Sequence, residues 1–119
     1  MNQTYSDYMR VLTYLTNKCE RLRAELLVLG LLQEKARDEY VNAEAIYKLH
    51  NSDCDEIAKL GKTLSSEEAQ AEKLAKRHFD EMREALDVCG MKVNQTERAI
   101  ENTDTLIAEV ARGFLATNE

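Results

Sequence analysis

Apolar residues recur at alternating intervals of three and four along both halves of this 119-residue chain. The first register reads Tyr5, Tyr8, Leu12, Leu15, Cys19, Leu22, Leu26, Leu29, Gln33, Ala36, Tyr40, Ala43 and Tyr47. The second reads Phe79, Met82, Leu86, Cys89, Val93, Thr96, Ile100, Thr103, Ile107, Val110 and Phe114. A period of this kind keeps one seam of a helix turned toward a partner helix, which is the pattern of coiled-coil packing. The expected fold is all-α, a long antiparallel helical hairpin.

Punctuation residues agree. Proline is absent and glycine occurs only at Gly30, Gly61, Gly90 and Gly113, so little in the sequence favours strands or long loops. The reading is a single helical-hairpin domain over 1–119, with helices at about 4–60 and about 66–116 and a turn at 61–65. Thr4 or Ser6 is a suitable cap for the first helix, and Gly61 falls where a left-handed C-terminal cap residue belongs. Ser65 with Glu68 forms a capping box for the second helix, and Leu64 is placed to staple onto Ala69. Polar residues Asn51, Ser52 and Asp53 offer a point for the first helix to break and start a short separate helix.

A short connection forces the two helices antiparallel, and facing residues then have numbers with a constant sum. A sum of 122 sets Leu29 by Val93, Leu22 by Ile100, Leu15 by Ile107, and Tyr8 by Phe114. It also opposes small and large side chains, Ala36 with Leu86 and Ala43 with Phe79, as dense packing requires. A sum of 129, one heptad over, fits the turn as well. Neither register brings two cysteines together, so Cys19, Cys54 and Cys89 are expected as free thiols.

A narrow seam buries little area per residue, and apolar residues remain outside it. Leu27, Val28, Leu31 and Leu32 lie on faces that a two-helix arrangement leaves wet, while Val11, Ile46, Ala85, Ala99 and Leu106 widen the stripe on one flank. So broad an apolar surface suits a three- or four-helix bundle completed by self-association or by a partner. Gly30 and Gly90 fall nearly opposite one another, where backbones have room to approach. Tyr14 lies off the seam as a candidate anchor.

Net charge is −6 at neutral pH, and all of the acidic excess lies after residue 50. Basic residues are interleaved with acids and form no stripe, which argues against direct nucleic-acid binding. Asp80, Glu84 and Asp87 stand mostly off the second seam and form a candidate docking patch for a basic partner. The N-terminal stretch has no secretory pattern, and the longest apolar run, Leu26 to Leu32, is far short of the ~20 residues that span a bilayer. The expectation is a cytoplasmic protein without membrane association, in the host cytoplasm if phage-encoded.

Catalytic chemistry has few candidates. His50 and His78 accompany no nucleophile elbow or glycine-rich loop, and His50 with Cys54 supplies two ligands where a zinc site needs three or four. The di-iron pattern of helical bundles fails because Tyr47 and Ala75 stand where glutamates are required. No enzyme activity, cofactor, metal or small-molecule substrate is expected. The leading expectation is a non-enzymatic protein–protein interaction module acting as scaffold, adaptor, chaperone or small inhibitor. The alternative is an acidic regulator or mimic that targets a nucleic-acid-processing machine, such as a phage-encoded host-targeting inhibitor. In outline the hairpin resembles small stalk and chaperone proteins of bacterial export machines and phage-encoded scaffolds, a likeness of architecture that no shared motif accompanies.

Overall fold

The computed structural model describes residues 2–118, with side chains described for 5–116. Two helices, α1 (Asn2–Lys59) and α2 (Ser66–Asn118), form an antiparallel hairpin, and no strand occurs among the described residues. Helix α1 starts slightly before the position expected from its caps. Ser6 lies inside it, and the side chain of Thr4 falls outside the described residues.

The turn follows from its sequence. Gly61 has a φ of 72°, the left-handed conformation that costs an L side chain most and glycine least. Its N–H donates to the Ala58 carbonyl at 3.0 Å, and the Lys62 N–H donates to the Ile57 carbonyl at 3.2 Å. That pair of bonds is the Schellman arrangement, which satisfies carbonyls the end of α1 would otherwise leave without partners. At the start of α2, the Glu68 N–H donates to the Ser65 hydroxyl at 3.1 Å. Ser65 thus caps the helix, with Glu67 and Glu68 in the positively polarised first turn.

Helix α1 runs unbroken through Asn51, Ser52 and Asp53. The break considered from those polar residues does not occur. All three are exposed, while Cys54 and Ile57 stay half-buried on the seam and carry the helix toward Gly61.

The hairpin divides into two compact units, unit 1 comprising 1–30 with 91–119 and unit 2 comprising 31–90. In unit 1, Leu15, Cys19 and Thr103 are buried, and Phe114 stacks on Tyr8 with ring centroids 4.1 Å apart and planes 16° from parallel. Thr103 is the most enclosed side chain described, and its hydroxyl donates to the Ala99 carbonyl of its own helix at 2.7 Å. The Cys19 thiol donates to Asp104 Oδ1 at 3.3 Å, and Arg23 reaches Asp104 Oδ2 at 3.5 Å.

In unit 2, Ala36 and Ala43 are buried. Phe79 sits between Tyr40 and Tyr47, at centroid distances of 5.3 and 5.6 Å, and so centres on the small Ala43 between them. This wedge and the Tyr8–Phe114 stack both obey the sum of 122 and select it over 129. The two glycines do not mark close approaches. A methyl group at Gly30 would meet nothing within 4 Å, and one at Gly90 would make ordinary contact with Gln33 Nε2 at 3.6 Å.

Candidate interaction surfaces

A two-helix seam covers one side of each helix and leaves the other to solvent. Along α1, Ala24, Leu27, Val28 and Leu31 recur at three, four and seven residues from the first, a spacing that gathers them on one helical face. That face is turned away from α2. In unit 1, Leu27 is 74% exposed and Val28 57%; in unit 2, Leu31 is 69% exposed and Leu32 48%. Ala24, Glu25, Val28 and Leu29 line a shallow apolar depression of about 430 Å³ in unit 1. Large aliphatic side chains at such exposure forgo roughly 0.7–2 kcal/mol each relative to full burial. Isolated exposed leucines are ordinary, but neighbouring exposed aliphatic residues on a helix are of the kind that marks interaction sites, and Leu27 with Val28 in unit 1 and Leu31 with Leu32 in unit 2 are such pairs.

The two flanks of the seam differ. On one, unit 1 carries Val11, Ala99 and Leu106, and unit 2 carries Leu32, Ile46, Ala71 and Ala85, with the larger aliphatic residues left exposed. The other flank is polar, with the Arg23–Asp104 pair in unit 1 and the Glu44–Lys48 pair, at 2.8 Å, in unit 2. The Glu44 carboxyl is held below its usual range, first by the bond from Lys48 and then by the neighbouring Tyr40 hydroxyl. Arg83 lies over the Phe79 ring at 5.7 Å, adding a cation–π contact beside the aromatic wedge. The sequence pattern identified the apolar flank. It missed the charged one, whose signal was opposite charge at positions just beside the two seams.

Of the remaining candidate residues, Tyr14 is 60% exposed beside Met9, Arg10 and Asn17 in unit 1. Asp80, Glu84 and Asp87 are exposed on α2 of unit 2. Asp80 is paired with Arg83 at 3.6 Å and the neighbouring Glu81 with Arg77 at 3.3 Å, which tempers the charge of the cluster. Tyr14 belongs to unit 1 and these three carboxylates to unit 2.

His50 and Cys54 line a groove beside the turn in unit 2, but they gather no metal-binding set. No group of three or more His, Cys, Asp or Glu residues spaced to hold an ion occurs among the described residues. The interaction of Cys54 with the Glu72 carboxylate, with burial and neighbouring acidic charge, pushes the thiol pKa up to about 11. Cys19 is raised as well, chiefly by burial and then by its bond to Asp104. Both shifts disfavour the thiolate, the nucleophilic form. All three cysteines are free.

No helix among the described residues is long and apolar enough to cross a membrane. Comparison with family models, curated proteins and solved structures returned no match to this chain.

Proposed function

We propose that this chain is a non-enzymatic interaction module, a helical hairpin that uses the outward face of α1 around Leu27, Val28, Leu31 and Leu32 to bind a helix of a second copy or of another protein. The observation that carries the reading is the run of large aliphatic residues on that face at 48–74% exposure. Burying them supplies ~25 cal/mol per Å² of apolar surface, against which the cost of association is set. Charged residues around the face, such as Glu20, Arg21, Glu34 and Lys35, then select the partner and its orientation. In this role the protein serves as scaffold, adaptor, chaperone or small inhibitor, completing a three- or four-helix bundle with what it binds. Tyr14 extends the contact in unit 1.

Leu31→Asp tests the reading. The substitution puts a charge at a solvent-facing helical position, so far-UV circular dichroism should be nearly unchanged while light scattering reports a smaller assembly. An unchanged mass in a self-associating preparation would count against the face.

A second reading has its own support. Unit 2 carries nine basic and fourteen acidic side chains, so the acidic excess is concentrated there. An acidic regulator of a nucleic-acid-processing machine would use Asp80, Glu84 and Asp87 against a basic surface. Salt separates the readings, because screening between 0.1 and 1 M shortens the Debye length from about 10 to about 3 Å and weakens a charge-driven contact far more than an apolar one.

A further inference from the structure

We infer that the groove beside the turn of unit 2 docks a basic amphipathic segment of a partner protein, one that presents a leucine-like side chain flanked by lysine or arginine. The groove encloses about 560 Å³ and is lined by His50, Asp53, Cys54, Glu56, Ile57, Leu60, Glu67, Glu68 and Ala71. Its apolar part is Ile57, Leu60 and Ala71. Leu60 is 71% exposed, and its backbone is held at the edge of the groove by the bond from its N–H to the Glu56 carbonyl at 3.1 Å. A wet leucine at the edge of a concavity gains by burial.

The rim decides the class of occupant. Asp53, Glu56, Glu67 and Glu68 contribute four carboxylates, and no lysine or arginine is among the lining residues. Glu72 is not counted, because it is not among the residues that line the groove. Lys59 and Lys62 are close in sequence but outside the lining. A second copy would bring the same acidic turn, and nucleic acid or an anionic lipid surface would bring negative charge to negative charge. An apolar side chain carried between cations satisfies both floor and rim. This surface is separate from the outward face of α1 and does not depend on it.

The test uses the full isotope-labelled chain titrated with a synthetic amphipathic leucine–lysine peptide and with its leucine–glutamate counterpart, followed by backbone amide shifts. The lysine peptide is expected to move Ile57, Leu60 and Ala71, and the glutamate peptide to leave them in place. The double substitution E56Q/E67Q, on exposed side chains, should weaken binding of the lysine peptide about tenfold, each exposed charge being worth up to about a factor of five. Leu60→Ser should abolish the shifts; if it also lowers helix content, the glutamine pair decides. Equal binding of both peptides, shifts confined to other surfaces, no binding of the lysine peptide, or unchanged affinity in E56Q/E67Q would each overturn the assignment.

Discussion

Phe114 lies flat against Tyr8, ring centroids 4.1 Å apart, and Tyr5 meets the same ring at 6.1 Å. This aromatic cluster fastens the early part of α1 to the late part of α2 within unit 1. Phe114→Ala removes both ring contacts from a half-buried site. It is expected to cost about 1–2 kcal/mol, less than a fully enclosed phenylalanine. Urea unfolding checks the magnitude, and amide exchange should show the loss concentrated near Tyr8.

Pairing register can be trapped covalently. In a chain whose native cysteines are replaced by alanine, Leu15→Cys with Ile107→Cys places two thiols at facing seam positions and should oxidise readily. Leu22→Cys with Ile107→Cys, the pairing demanded by the sum of 129, should not, because a disulfide needs Cα atoms within about 7 Å. Non-reducing electrophoresis with peptide mapping distinguishes them.

Glycines give opposite signs. Gly30→Ala fills open space in a helix interior and should stabilise by up to about 1 kcal/mol. Gly61→Ala puts a side chain on a residue at φ 72° and should destabilise by about 1 kcal/mol. Thermal or denaturant melts of the two variants should therefore move in opposite directions.

Thiol chemistry carries a pH signature. With a pKa near 11, Cys54 should react with alkylating reagents at mildly alkaline pH on the order of a hundredfold more slowly than an ordinary exposed thiol, and Glu72→Gln should accelerate it. Stability follows the same linkage. The folded state holds the Cys54 and Cys19 protons more tightly than the unfolded chain does, so between the ordinary thiol pKa and the raised one the unfolded state binds fewer protons. Unfolding free energy should fall as pH rises through that window and be flat with respect to these groups below it. Denaturation series at stepped alkaline pH measure this.

Much of the fold was legible because a two-helix seam leaves its period in the sequence. Positions such as Leu15, Cys19, Ala36, Ala43 and Thr103, all on the registers, are the buried ones. The register was not settled by the sequence, which allowed sums of 122 and 129; the Tyr8–Phe114 stack and the placement of Phe79 between Tyr40 and Tyr47 decide it. Propensity misled at Asn51, Ser52 and Asp53, where exposed polar residues continue a helix held by Cys54 and Ile57 one turn on. The outward patch on α1 was readable for the same reason as the seam, because Leu27, Val28 and Leu31 fall at helical spacing off it. The groove at the turn was not. Asp53 comes from α1, Leu60 from the turn and Ala71 from α2, and their convergence depends on the geometry that Gly61 and Ser65 impose. The identity of whatever the proposed face binds would leave no trace in periodicity, since its surface would belong to another molecule.

The most direct measurement places a photoreactive amino acid at Leu27, Leu31 or Asp38 and irradiates the chain, purified and in host extract. Asp38 lies one heptad beyond Leu31 on the same helix face and is charged in the native sequence. An interaction module built on the outward face of α1 gives a discrete crosslinked product from positions 27 and 31, to a second copy or to one partner, and little from position 38. Products of equal yield from all three positions, or none from 27 and 31, would contradict it.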